Sequence, residues 1–319
     1  MDARSKKVPS LSVVVPVYNS EATLPLLVKR LHPVLTALTP DYELVLVNDG
    51  SRDKSWEVVQ QLAGEHAWVR GINLMRNYGQ HNALLCGIRS VRHEITVTMD
   101  DDLQHPPEEI PQMIEELERG FDVVYGAPEG QQHGLLRNLA SELTKLALKK
   151  SMGAATARHV SAFRVLRTPL RNAFENYHSP FLSIDVLLTW GSTRFTVRKV
   201  RHEPRRMGSS NYTMRMLFTH AMNMVTGFTT LPLQFGSMLG FLFTLFGVAV
   251  LVVVVGSYLL HGTTVSGFTF LASIVALFSG AQLFALGLIG EYLARMHFRM
   301  MERPTYVVRQ QTGKSGVEA

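Results

Sequence analysis

The chain has 319 residues, a formal net charge of +6 and a single cysteine, Cys86. That length holds one large domain with an appendage, or two domains, and a lone cysteine excludes an intrachain disulfide and points to a reducing compartment. The modest charge gives no footing for a nucleic-acid partner, but its distribution is uneven, because no Asp, Glu, Lys or Arg occurs between Arg215 and Glu291. In chain order, the basic stretch Met1–Pro9 leads into a β-rich run, Leu11–Pro16, rather than an apolar signal core, so no cleavable targeting segment is expected. A helical pattern over Glu21–Leu38 is followed by a strand at Tyr42–Val47, which ends on the turn-forming cluster Asn48-Asp49-Gly50-Ser51. The spacing then predicts a helix at Ser55–Gly64, a strand at Val69–Leu74, a helix at Gln80–Ser90, a strand at Ile95–Met99, a helix at Pro107–Arg119 and a strand at Asp122–Tyr125. Strand and helix alternate, which argues for parallel strands joined by crossover helices. Neither G-x-G-x-x-G nor G-x-x-x-x-G-K-[ST] is present, which removes the main support for dinucleotide oxidoreductases and P-loop enzymes.

The strand at Ile95–Met99 stops on three carboxylates, Asp100-Asp101-Asp102, with Gln104, Pro106 and Pro107 behind them. Like charges crowded at a strand's C-terminal edge cost stability unless something offsets them. A hard divalent cation does so, since Mg²⁺ or Mn²⁺ takes one or two protein oxygens and leaves its other positions to phosphate and water. The same edge of an α/β sheet is where ligands usually sit. Asp101 or Asp102 could instead cap the following helix; the third carboxylate and the flanking strand favour the metal. His81 and His105, beside an Asn and a Pro, read as hydrogen-bonding loop residues rather than ligands.

Within the uncharged stretch, Phe235–Leu260 and Phe268–Ile289 are each long enough to cross a bilayer, which takes ~20 apolar residues. The polar turn His261–Gly267 separates them. A helical hairpin buried in a soluble core would keep a polar stripe, and neither run shows one. Arg198, Lys199, Arg201, Arg205, Arg206 and Arg215 precede the first run, and Arg295, Arg299, Arg303, Arg309 and Lys314 follow the second. The positive-inside rule then puts both flanks in the cytoplasm and the turn outside. The stretch before the first run, rich in Met214, Met216, Met222 and Met224, reads as an amphipathic helix on the membrane face or as packing against the second domain. Gly236 and Gly240 form a G-x-x-x-G that suits a close helix contact.

Val15-Pro16-Val17-Tyr18-Asn19, Val47-Asn48-Asp49-Gly50-Ser51 and Asp100-Asp101-Asp102-Leu103-Gln104-His105-Pro106-Pro107-Glu108 resemble the motif series of family 2 glycosyltransferases with the GT-A fold. Arg76-Asn77-Tyr78-Gly79-Gln80-His81, Arg205 with Gly208–Tyr212, Pro232-Leu233 and Gly287–Tyr292 look like the branch that acts on polyprenyl phosphates. The resemblance runs from about Leu11 to Val308. It implies an α/β nucleotide-sugar-binding GT-A fold with a C-terminal two-helix transmembrane hairpin. The expected division is a cytoplasmic catalytic domain over 1–210, a juxtamembrane amphipathic helix over 211–232, two transmembrane helices over 233–292 and a basic tail over 293–319. By the same resemblance, Pro16, Tyr18 and Asp49, with Arg76, match the nucleotide-sugar pocket, and Asp100 and Asp101 adjoin it. Asp100 and Asp102 match the acids of a D-x-D motif. Asp102 with Gln104 would hold Mg²⁺ or Mn²⁺ against the donor diphosphate, and Arg137 with Ser141, and Arg205, fall at phosphate contacts. The sequence departs from the pattern at Ser20, where a Glu is usual and Glu21 is displaced by one, at Asp101, commonly Ala, at Ala162 of Ala162-Phe163-Arg164, and at Asn211, commonly Lys.

The chemistry suits these residues. A sugar leaving a nucleoside diphosphate, UDP most naturally here, deposits charge on the diphosphate that a cation offsets, and Asp100 can face the positive charge gathering at the anomeric carbon. A lipid phosphate has a second pKa of ~6, so it attacks as a dianion without a general base. Arg137 and Arg205 suit its binding, because guanidinium forks meet phosphate bidentately. The expectation is an inverting transferase in a bacterial inner membrane, with a homotetramer implied by the resemblance. The alternatives are a glycosyltransferase with another lipid or saccharide acceptor, and a non-catalytic membrane scaffold.

Overall fold

The computed structural model describes residues 10–128, 159–178, 182–203, 231–261 and 267–313. The first seven elements follow the sequence pattern: β1 (Leu11–Val17), α1 (Leu24–Leu38), β2 (Tyr42–Asn48), α2 (Ser55–Glu65), β3 (Val69–Leu74), α3 (Gln80–Ser90) and β4 (Ile95–Thr98). The first helix starts three residues later than the periodicity suggests, because Pro25 favours its first turn. Glu21 instead accepts a hydrogen bond from the Lys54 amide at 2.9 Å. A 3-10 turn at Pro107–Glu109 opens the next helix, α4 (Ile110–Glu118), whose own first turn carries Pro111. Then come β5 (Val123–Pro128), β6 (Arg164–Arg167), a 3-10 segment at Thr168–Phe174, α5 (Ile184–Gly191) and β7 (Phe195–Val200). Two long helices, α6 (Leu231–His261) and α7 (Phe268–Met300), precede a last strand, β8 (Val308–Thr312).

The eight strands form one sheet in the order β7-β5-β6-β4-β1-β2-β3-β8. The block β4-β1-β2-β3 is parallel, as the alternation requires. The fifth predicted strand, β5, runs the same way, and two strands that the alternation does not announce make the sheet mixed: β6 runs antiparallel between β4 and β5, and β8 antiparallel beside β3. One face of β1 (Leu11, Val13, Val15, Val17) joins a core with Leu24, Leu27, Leu31 and Leu35 of α1 and with Ile110, Met113 and Leu117 of α4. On the other face α3 lies so close that a Cβ at Gly87 would stand 2.2 Å from Val14 Cγ1. Each fully buried Leu or Val in these layers contributes ~1.5–3 kcal/mol, so the parallel block is the stable platform of the fold.

The chain divides into two compact units, one of residues 1–217 with 303–319 and one of 218–302. In the second, Leu233–Ser257 is long and apolar enough to cross a membrane, with a mean hydropathy of 2.8 and none of that stretch buried. No Asp, Glu, Lys or Arg occurs from Phe268 to Gly290 in α7. The two helices pack antiparallel through small residues. Leu288 lies 3.0 Å from where a Cβ at Gly236 would be, and Phe278 lies 2.9 Å from one at Gly247, whereas Gly240 meets nothing. The helix runs on to Met300 with Arg295 paired to Glu291 at 2.7 Å, and the segment expected to be a tail instead returns as β8.

Beneath the sheet's C-terminal edge lies a buried ion pair. Arg164 on β6 meets Asp185 on α5 through Nε at 2.8 Å and Nη2 at 3.0 Å, and the Tyr125 hydroxyl donates to the same carboxylate at 3.0 Å. Burial alone would push the Asp185 carboxyl up, and the Arg164 guanidinium more than offsets it, holding Asp185 below the usual carboxylate range. Removing one partner strands the other charge. Asp185→Ala should therefore cost about 3–5 kcal/mol of stability by denaturation, and the double variant Arg164→Met/Asp185→Leu should lose less than the single one. A double variant less stable than Asp185→Ala would contradict this account of the pair.

Candidate active site

Strand order places β1 at the point where the chain, having added β2 and β3 on one side, crosses to add β4 on the other. Such a switch point opens a crevice outside the strands' carboxyl ends. Here the opening is also written into β1. Val14 accepts the last ladder bond from the Met99 amide at 3.2 Å. Alternate residues of a strand address the same neighbour, so Pro16 turns toward the β4 side and, having no N–H, has no donor to continue the ladder. The resulting cleft of about 280 Å³ is lined by Pro16, Val17, Tyr18, Asp49, Asn77, Gly79, Gln80, Asp100, Asp101 and Asp102.

The structure thus brings Pro16, Tyr18, Asp49, Asp100, Asp101 and Asp102 together, as the sequence suggests. Arg76 stands at the rim with its guanidinium 4.3 Å from the Tyr78 ring centroid. Gln104 is not among the lining residues; its amide donates to Asp102 Oδ1 at 3.1 Å and its carbonyl accepts from the Glu203 amide at 2.8 Å. Arg137, Ser141 and Arg205, and residues 211–230 of the expected juxtamembrane helix, lie outside the described residues. Asn77, Gly79 and Gln80 were not singled out as site residues by sequence, although they fall within the Arg76–His81 segment.

Asp49 organises the far wall. It is 2% exposed, and its two oxygens accept the Tyr78 amide at 2.7 Å and the Gly79 amide at 2.8 Å. Burial raises its pKa, and those two amides work against the rise. Neighbouring Gly50 has φ +65°, and a Cβ there would lie 2.5 Å from the Asn77 nitrogen, so this turn requires glycine. On the near wall Leu103 takes φ +61° although it is not glycine, held there because its side chain is only 1% exposed in the core. That left-handed residue turns the chain immediately after the three carboxylates.

The departures at Ser20 and Asp101 meet in space. Asp101 accepts the Tyr18 amide at 3.4 Å and a hydrogen bond from the Ser20 side chain. Burial pushes the Asp101 carboxyl up from the ordinary 3.8 to about 6, with the Asp102 charge adding to the rise. Behind the acidic turn, His105 packs between the rings of Phe163 at 5.3 Å and His202 at 5.2 Å, and burial lowers its pKa to about 4, so it is neutral at pH 7. Arg30 clamps the surroundings, reaching Glu108 at 2.8 Å and Glu203 at 3.0 Å.

Among the described residues no group of three His, Cys, Asp or Glu side chains could by itself hold a metal ion. A hard cation bound through one or two carboxylates and a ligand's phosphates needs no such cage. The cleft's lining, four carboxylates with the Tyr18 hydroxyl, the Asn77 and Gln80 amides and no thiol or imidazole, fits that class of ion and not a soft one.

An acidic cleft at the switch point of an α/β sheet is the ligand crevice of the fold, and likeness to known proteins gives its class. The model of Glycosyl transferase family 2 matches residues 12–177, and the chain belongs to that family. It is 33% identical over 320 residues, 99% of this chain and 98% of the other, to the undecaprenyl-phosphate 4-deoxy-4-formamido-L-arabinose transferase of Yersinia enterocolitica. The protein of the same name from Photorhabdus laumondii is 33% identical over 97% of this chain and 96% of its own. Among solved structures, glucosyl-3-phosphoglycerate synthase of Mycobacterium tuberculosis is similar at a TM-score of 0.49 and 18% identity, over 68% of this chain and 78% of that one. The chain is a glycosyltransferase.

The raised pKa of Asp101 has a definite sign. The unfolded chain ionises this carboxyl near 3.8, the folded chain near 6, so ionising it costs stability as pH rises through that window. In metal-free buffer Asp101→Asn should melt like the wild type at pH 4, pull ahead between pH 4 and 6, and keep a constant advantage above 6. An advantage that appears only at acid pH would show the shift to have the opposite sign.

Proposed function

We propose that this enzyme transfers one sugar from a nucleotide sugar, most naturally UDP-linked, to a polyprenyl phosphate such as undecaprenyl phosphate, inverting the anomeric centre. The observation that carries this reading is the cleft joining Asp49 to Asp100–Asp102 in a chain similar, along nearly its whole length, to transferases named for undecaprenyl phosphate. Pro16, Tyr18 and Asp49, with Arg76 at the rim, bind the nucleoside. Asp102, with Gln104 next to it on the turn, would hold a divalent cation, Mg²⁺ or Mn²⁺. When bound, that ion supplies Lewis-acid neutralisation of the diphosphate leaving group. Asp100 faces the anomeric carbon and answers its developing positive charge. Asp101 braces the turn and is not required for the transfer itself.

The acceptor phosphate is the nucleophile. Its second pKa of ~6 leaves it dianionic at neutral pH, so no side chain need take a proton. Arg137 with Ser141, and Arg205, position the phosphates as cationic and hydroxyl donors. The leaving nucleoside diphosphate departs from the face opposite the attack, so no glycosyl-enzyme intermediate forms. The product would be a lipid-linked sugar for envelope glycan or lipopolysaccharide modification, made by a homotetramer in the bacterial inner membrane.

Connectivity supports a two-span anchor. The chain leaves the catalytic unit before α6 and returns to it after α7, since β8 pairs with β3. A chain that comes back to the same unit crosses a membrane an even number of times, and two apolar helices allow two crossings. Basic flanks support a cytoplasmic position for that unit, on the side where nucleotide sugars are made.

Incubating the membrane enzyme with undecaprenyl phosphate and a panel of nucleotide sugars should yield one glycolipid by mass spectrometry. Transfer only to diacylglycerol or a saccharide would move the assignment to another acceptor class, and no transfer from any donor would refute the reading. Asp102→Ala should abolish turnover, as should excess chelator on the wild type, with the melting temperature of the variant unchanged. Full turnover in either condition removes the metal assignment. For topology, Thr264→Cys should react with an impermeant thiol reagent from the periplasm, and Arg303→Cys and Ser5→Cys should not. The native Cys86 is 1% exposed and gives little background. The reverse labelling would place the cleft outside and overturn the functional reading.

A further inference from the structure

Gln80 is the first residue of α3, and its side chain reaches across the cleft to the acidic turn. Its Nε2 donates to Asp100 Oδ1 at 2.6 Å. The backbone that presents it is fixed on three sides. Asp49 holds the preceding amides of Tyr78 and Gly79. The Asn82 side chain donates to the Tyr78 carbonyl at 2.7 Å, while the Asn82 and Ala83 amides donate to Gly79 O at 2.9 and 3.1 Å. On the far side His81 Nδ1 accepts the Ile184 amide at 3.4 Å, tying α3 to the start of α5. Gly79 itself sits at φ +94°, which only glycine adopts readily, so the reach of Gln80 depends on that turn.

Asp100 is fixed from behind in the same way. Thr98, two residues upstream on β4, donates to the Ala162 carbonyl at 2.9 Å and receives Arg164 Nη1 at 3.3 Å. Backbone position is therefore set on both sides of the contact, and the rotation of the Asp100 carboxylate is what an amide donor at one oxygen can decide. A carboxylate engaged at Oδ1 presents Oδ2 in a defined direction, and a charge-assisted hydrogen bond of this kind is stronger than a neutral one. A surface glutamine at a helix start would have no reason to lie in the cleft.

We propose that Gln80 is a positioning residue for the glycosyl transfer: its amide orients the Asp100 carboxylate toward the anomeric carbon of the donor. The proposal rests on the placement of Asp100 at the reacting centre given above. It makes Gln80 part of the machinery through Asp100, without contact to the reacting atoms.

The test uses full-length enzyme in lipid nanodiscs with Gln80→Met, which keeps length and loses the donor, and Gln80→Glu, which replaces the donor by a second carboxylate. Losing a charge-assisted bond made to the reacting group should lower kcat of Gln80→Met by about 10- to 100-fold. Gln80→Glu should be slower still, because two carboxylates would face each other at that spacing. KM for the nucleotide sugar and its affinity by calorimetry should stay within about threefold of wild type, since the proposed role is made through Asp100 and not through the nucleotide. Unchanged kcat in Gln80→Met, or a rise in donor KM at constant kcat, overturns the proposal. Independently of turnover, experimental structures should show one Asp100 orientation in the wild type and a different one in Gln80→Met. The same orientation in both also overturns it. A wild type that makes no glycolipid would refute the acceptor assignment, and the Asp100 orientations would still decide the role of Gln80.

Discussion

Three consecutive carboxylates at the end of one strand repel each other, and the region around them is built to keep them there. Asp102 accepts the Gln104 amide two residues on, Asp101 is tied to the first loop through Tyr18 and Ser20, and Asp100 is met by Gln80. Each contact offsets part of the repulsion and none neutralises it. All three carboxylates line the open cleft. A folded protein that keeps such a cluster at a sheet's switch point keeps it for a ligand that brings cations or develops them.

The supports are layered with distance from the cleft. Arg164 and Asp185 form a paired, buried bolt whose guanidinium also reaches Thr98 in the strand that carries the cluster. Arg30 joins α1 to the turn after the cluster and to Glu203, at the start of the stretch that leads to Arg205. Leu103 accepts a left-handed backbone so that the turn can fold back into the core. The membrane unit contributes by connectivity. The chain that follows the two-helix unit rejoins the sheet, because β8 closes its edge beside β3.

Much of this was legible in the sequence, for reasons that also explain what was not. The strands and helices from Leu11 to Glu118 follow clear apolar periods, and their bounds in the structure differ by a few residues where Pro25 and Pro111 reset a helix start. β6 is only Arg164-Val-Leu-Arg, with charges at both ends, and β8 is Val-Arg-Gln-Gln-Thr. Neither has an apolar alternation to read, since pairing in the sheet alone makes them strands. Of the site, the motif-borne residues Pro16, Tyr18, Asp49, Asp100 and Asp102 stood out, while Asn77 and Gln80 did not, because only the fold of the Arg76–His81 segment against Asp49 turns them into the cleft. The partnership of Ser20 with Asp101 could be seen only once the loops were brought together, although both positions were visible as separate departures from the family pattern.

The central claim is that the strand-end carboxylates form a metal site completed by a nucleoside diphosphate. Counting bound Mn²⁺ by electron paramagnetic resonance, with and without UDP, tests it most directly and needs neither sugar nor lipid. The account predicts weak binding to the protein alone and one tightly bound Mn²⁺ per chain when UDP is present, lost in Asp102→Ala. Binding that ignores UDP, or that survives Asp102→Ala unchanged, would contradict it.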